Sequence, residues 1–207
     1  MSTEALTTNT NNGLSFAASD IELPRLNVIQ KMSEIEGEVG SVVLDKEFEI
    51  LKLEERTNVV VVSAVKRWKE NVPFDSDVIP KFANTEADAR DLAKDSEYEI
   101  LEFAEIALLI PQIGGDDTAF PFPIGDSNYA IGRITVQKDA YRCTFKRLVT
   151  NAMINPDVPL NSRFWSFGSE NMTKGRYTWA IPTLNFTKVE VPAEVVEFVN
   201  RLTGGAN

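Results

Sequence analysis

The pattern of apolar and polar positions along this chain predicts strands more often than helices. ELPRLNVIQ, opening after Ile21, gives a proline-marked extended start followed by a short strand. SVVLDKEFEIL, after a turn punctuated by Gly37 and Gly40, reads as β because its apolar residues form no helical stripe. VVVVSAVKRWKE follows a polar turn over Glu54 to Asn58; it begins as a β-branched run suited to a buried central strand and ends polar, emerging into solvent. FAEIALLIPQI and YAIGRITV read as further strands, and GGDDTAFPFPIGDSN between them is too rich in breakers to be regular structure.

Three segments have helical character. NTEADARDLAKD offers Asn84 or Thr85 as N-cap and acids in the first turn, so a short surface helix is inserted near residues 84–97. KDAYRCTFKRLVTNAMI places Tyr141, Phe145, Leu148, Val149 and Ala152 on one stripe and leaves Arg142, Lys146 and Arg147 off it, with Asn155 and Pro156 as the stop. Pro192 starts a last helix over residues 193–202, with Val195, Val196, Val199 and Leu202 on one face and Gly204 and Gly205 ending it.

Between the last two helices, RFWSFGSENMTKGRYTW predicts a hairpin turning within Ser169 to Gly175, whose return strand runs through AIPTLNFTKVEV. The whole pattern, roughly six or seven strands with two or three helices, predicts an α+β chain on an antiparallel, OB-like β-barrel or curled sheet. Residues 1–20, rich in Thr, Asn and Ser, read as a disordered tail preceding a single domain over residues 21–207.

Composition narrows the chemistry. The chain has 207 residues, no histidine, one cysteine and a formal net charge of -10. Without histidine the Ser/His/Asp triad, HExxH zinc chemistry and the usual general base are absent together. Cys143 alone forms neither an internal disulfide nor a thiolate zinc site, and it reads as a buried structural thiol. No phosphate loop, dinucleotide fingerprint or nucleophile elbow occurs, and Gly114-Gly115-Asp116-Asp117 reads as a turn rather than a divalent-ion site. The expectation is a protein that is not an enzyme and carries no metal or cofactor. With no apolar run near the roughly 18 residues of a span and no signal peptide at MSTEALTTNTNNG, the expected location is intracellular and off the membrane.

Charge placement adds more than total charge. Acids dominate from Glu86 to Asp117, whereas cations dominate from Ala130 to Trp179. In that basic half, five aromatic residues of the predicted hairpin are interleaved with Arg163, Lys174 and Arg176. Rings beside cations suit unstacked bases and their phosphates, because stacking tolerates any base while the charges follow the backbone. The same signature recurs at Lys66-Arg67-Trp68-Lys69; alternation puts Lys66 and Trp68 on one face and Arg67 and Lys69 on the other. Candidate stacking rings are Trp68, Trp165, Tyr177 and Trp179. Candidate phosphate contacts are Lys66, Arg67, Lys69, Arg133, Arg142, Lys146, Arg147, Arg163, Lys174 and Arg176. In the hairpin one strand face is expected to cover the core and only the other to bind.

Ile21, Pro24, Arg25, Leu26 and Gln30, the Gly37/Gly40 turn, a middle strand ending near Trp68, and Gly175, Tyr177, Trp179 and Pro182 in a G-x-Y-x-W-x-x-P element together resemble a group of tailed-bacteriophage proteins. Some are single-stranded DNA-binding proteins with an OB-like barrel. The resemblance implies a phage-encoded binder of single-stranded DNA with weak sequence preference, acting in DNA replication or recombination in the cytoplasm of an infected host cell. Its implied partners are single-stranded DNA, further copies of the chain, and phage replication or recombination proteins. The end RLTGGAN lacks the acidic tail by which many replication-type binders recruit partners. Two other classes stay open: a phage structural or assembly protein with the aromatic hairpin as core or interface, and an inhibitor of a host protein whose acidic Glu86 to Asp117 segment mimics nucleic acid.

Overall fold

A computed structural model of the chain describes residues 22–73, 75–114 and 117–204, together with two short paired strands, β1 (Asn9–Asn11) and β2 (Leu14–Phe16). The expected disordered tail otherwise lies outside the described residues, as do Gly115 and Asp116 of the GGDD turn. The fold is mixed α+β with mostly antiparallel sheets.

The main sheet is built around β6 (Arg56–Glu70), whose valine run Val59, Val60 and Val61 is buried at its centre. β-Branched side chains fit a strand covered on both faces, and here both are covered. On one side β6 pairs with β8 (Ile100–Pro111), which pairs with β10 (Ser127–Gln137) and then β9 (Phe122–Ile124). On the other it pairs with β11 (Arg163–Lys174), Trp165 opposite Val59, and β11 returns as β12 (Tyr177–Glu190). The short β7 (Phe82–Ala83) joins the far end of β6, opposite Lys69 and Trp68.

A second sheet, β3 (Leu26–Val28), β4 (Val42–Leu44) and β5 (Phe48–Leu51), lies over one face and shares the larger hydrophobic core with the main sheet. It is tied on by a bridge between Arg25 and Arg133, and Gly132 makes the approach possible, since a Cβ there would sit 2.7 Å from Leu26 Cγ. Gln30 Nε2 donates to the Ala180 carbonyl of β12 at 2.8 Å, so the small sheet also reaches the opposite edge. Among the described residues the strands do not close into a barrel: β9 and β12 are the ends of the hydrogen-bonded path. Helices α2 (Lys138–Cys143) and α3 (Phe145–Ile154) both pack against β12, and α2 also against β10.

Helix α1 (Glu86–Asp95) is capped by Thr85, whose hydroxyl accepts from the Asp88 amide. Helix α4 (Ala193–Leu202) buries Val195 and Val199 in a smaller core with Val60, Leu109 and Ile131 on the other face of the sheet.

Three local expectations need correction. The breaker-rich loop contains β9, which tolerates Pro123 because it lies at the sheet edge. SVVLDKEFEIL is not one strand but the β4–β5 hairpin, bent at Asp45 and Lys46 with φ of 52° and 67°. The single amphipathic helix over 138–154 is broken at Thr144, whose hydroxyl donates back to the Ala140 carbonyl at 2.6 Å. That break leaves Val149 exposed while Tyr141, Cys143 and Leu148 stay buried. No helix is long and apolar enough to cross a membrane among the described residues.

Candidate nucleic-acid interface

The aromatic hairpin divides along its length as well as across its faces. At its base Trp165 is 0% exposed and Phe167 1%. The Trp165 indole N–H donates to the Leu160 carbonyl at 3.1 Å, and Phe186 meets the ring edge-on at 5.4 Å between centroids. Trp165 is therefore a core ring with no face left for a base, which corrects its assignment as a stacking residue. Arg163, also at the base, is held in an ion pair with Glu190.

At the other end the hairpin turns through Gly175 and Arg176, with Lys174 paired to Tyr177. Only the first loop position has positive φ, 62°, and glycine occupies it. Residues 173–178 are exposed whichever way their side chains alternate, so neither face of the tip is core. The expectation of one buried face holds at the base of β11, where Trp165, Phe167 and Ser169 are buried and Phe164, Ser166 and Glu170 are not, but not at the tip, where the strands outrun the body they pack on. Tyr177 is 63% exposed, and the Arg176 guanidinium lies 5.1 Å from its ring centroid while donating to its hydroxyl at 2.9 Å. Trp179, one alternation inward, is half-buried.

Trp179 lines one wall of a groove of about 470 Å³, with Leu26, Asn27, Gln137, Lys138 and Pro182 among its other walls. A second cationic and aromatic group lies at the polar end of β6, where Lys69 feels the charge of Lys138. There Lys66 Nζ lies 4.8 Å from the Trp68 ring centroid and 2.5 Å from Glu102 Oε1. Lys146 of α3 lies 6.0 Å from the ring of Tyr141, and Lys69, across the strand from Lys66, lies 5.7 Å from Phe103.

The electrostatics of this group are informative. Burial lowers the pKa of Lys69, and the nearby Lys138 charge lowers it further, so two ammonium groups repel there. Burial pulls Lys66 down, but its hydrogen bond to Glu102 and the charges around it outweigh that and leave its pKa raised. The Tyr141 phenol is pushed up by burial, with Lys66 partly opposing. An anion near Lys69 and Lys138 relieves repulsion. At Lys66 it competes with Glu102.

The remaining candidates are engaged elsewhere. Arg67 and Arg133 share Glu105, at 3.1 and 3.3 Å, on the face opposite Lys66 and Trp68. Arg142 pairs with Asp139 at 3.4 Å, and Arg147 donates to Asn185. The structure thus brings together Lys66, Trp68 and Lys146, leaves Lys69 beside Phe103 on the other face of β6, and separately gathers Lys174, Arg176, Tyr177 and Trp179 at the far end of the hairpin. It does not bring Arg67, Arg133, Arg142, Arg147, Arg163 or Trp165 into either group. Lys138 and Tyr141 were not legible in the sequence as neighbours of these groups; the strand-to-helix junction at Lys138 was the available signal.

No group of three or more cysteine, aspartate or glutamate residues is placed to hold a metal ion among the described residues. No protein-family model, curated protein or solved structure matches the chain.

Proposed function

We propose that the protein is a non-catalytic single-stranded DNA-binding protein of a bacteriophage, working without metal or cofactor on an OB-like frame whose sheet is left open. The observation that carries this reading is the hairpin tip. Lys174, Arg176 and Tyr177 stand clear of the core, next to a half-buried Trp179, and an exposed ring under a guanidinium serves no packing purpose there. The Lys66, Trp68 and Lys146 group offers a second contact region. Bases stack on the rings and phosphates follow the lysines and Arg176, so sequence preference is weak. The net charge of -10 restrains indiscriminate duplex binding and leaves the local cations to direct the strand. In this reading the protein works in the infected cell's cytoplasm beside phage replication or recombination proteins, with other copies of itself on the same strand.

Titration with oligo-dT at two salt concentrations tests the reading. Saturable quenching of tryptophan emission, weakened steeply by salt, is the expected result. Absence of binding at micromolar concentrations in low salt overturns it. Trp165 lies too deep to report, so the quenched signal comes from Trp68 and Trp179.

A further inference from the structure

Helix α4 covers only part of the sheet face that carries Arg67. Leu109 of β8 lies in the core under α4, with Val60 and Ile131 directly opposite it on the flanking strands. Ala107, Glu105 and Phe103 continue the same face of β8, and around them it opens to solvent. Ser63 and Val65, opposite Ala107 and Glu105, are exposed, as is Thr135, and Phe82 of β7 is 61% exposed. An antiparallel sheet often leaves one face to water, but such a face ordinarily mixes its charges. Here Lys69, Arg67 and Arg133 share the face with one carboxylate among the paired positions, Glu105. The bridge that ties the small sheet to β10 then sets exposed Arg25 directly beside Arg133 on that face. Like charges placed side by side across strands cost stability. Arg25 has no ion-pair partner among the described residues to offset that cost. In a chain of net charge -10, a local face built with such a repulsion calls for an anion.

We propose that this open part of the sheet is a track on which the bound single strand lies, an inference that rests on the single-strand-binding reading above and gives the strand a path. The track runs diagonally from Phe82 through Lys69 and Arg67 to Arg133 and Arg25. From the level of Lys69 to that of Arg133 it covers roughly 20 Å along β6 at about 3.4 Å per residue. Phe82 meets Phe103 edge-on at 6.0 Å between centroids, which fixes the ring without covering it, so a base stacks on its free face. Glu105 is a positioning residue: it holds Arg67 at 3.1 Å and Arg133 at 3.3 Å. Each guanidinium has five N–H donors, so both keep donors for phosphate oxygens. Their side chains remain 41% and 30% exposed, against 18% for Glu105, so the cations and not the acid face the solvent. The cations select a polyanion, and the exposed ring selects one that carries bases.

The test measures binding of labelled oligo-dT to the full chain by fluorescence anisotropy at several salt concentrations, with urea unfolding of each variant beside it. Arg25→Gln should weaken binding and flatten the log–log salt slope by about 0.7, one phosphate contact. Its stability should stay level or rise slightly, because the repulsion from Arg133 is gone. Phe82→Ala should weaken oligo-dT by about five- to a hundredfold, the value of one stacked base, and Phe82→Tyr, which keeps a ring, should bind as the parent does. The track stands only if Arg25→Gln and Phe82→Ala both lose affinity while remaining folded. A parent that binds oligo-dT while either variant binds equally well overturns the track and leaves the proposed function standing. Phe82→Tyr as weak as Phe82→Ala also overturns it, since the ring is then not a stacking platform. A parent that does not bind oligo-dT overturns both.

Discussion

The base and the tip of the β11–β12 hairpin have the same ingredients, aromatic rings beside arginines, and opposite fates. At the base Trp165 and Phe167 are sealed into the core and Arg163 is paired with Glu190; at the tip Tyr177 and Arg176 stack on each other in solvent. Composition does not separate them. What separates them is the distance along the strands at which the rest of the fold stops covering the hairpin, so one stretch both holds the fold together and offers a surface.

The largest effect expected from separating the two ends is at the base. Trp165→Ala should cost about 3 to 5 kcal/mol of stability, because it removes a large ring that cannot be replaced by collapse. Urea unfolding reads it, and a loss below about 1 kcal/mol contradicts the core assignment. Tyr177→Ala should do the converse, weakening oligo-dT binding by about 1 to 3 kcal/mol while stability stays within about 0.5 kcal/mol of the parent. Equal losses of stability and binding in that variant erase the distinction between the ends.

Smaller effects follow from charge. Removing Lys174 and Arg176 together should flatten the dependence of binding on salt by about 0.7 in the log–log slope for each phosphate no longer neutralised. Measuring affinity at several salt concentrations gives the slope, and an unchanged value removes these residues from the phosphate path. The least change is expected for Lys69→Met. Its pKa is depressed by burial and then by Lys138, so the folded state holds the proton less tightly than the unfolded chain. Protonated Lys69 therefore opposes folding at neutral pH, and that opposition fades as pH rises through its folded pKa, which lies below the ordinary lysine value. The variant should keep or slightly gain stability at pH 7 and lose the gain in alkaline solution, with binding modestly weakened. A loss of stability at pH 7 contradicts the sign.

Much of the secondary structure is local and was legible. The valine run of β6, the Thr85 cap of α1 and the apolar face of α4 are each written in a few adjacent residues. The misses share a cause: β9 depends on the edge offered by β10, the Asp45–Lys46 turn has no glycine to announce it, and the break at Thr144 depends on a hydroxyl turned back onto its own helix. The candidate site was legible as a composition and not as a place. Arg67 and Arg133 belong to Glu105 because strand register puts them there, and no spacing in the sequence announces that pairing.

The hairpin is anchored just before it leaves the body. The Ser169 carbonyl accepts from the Glu54 amide at 3.1 Å, its hydroxyl donates to the Gly40 carbonyl, and Gly168 beside it lies so close to Glu55 that a Cβ would sit 2.3 Å from the carbonyl oxygen. The hairpin stays attached as far as Ala180, which lies opposite Asn171, is buried and accepts from Gln30, so only the strand end from Met172 to Lys174 overhangs, roughly 10 Å at about 3.4 Å per residue. Mechanically this is a short cantilever fixed at its root: a load on the tip is delivered to Ala180 and Ser169 and spread through both sheets.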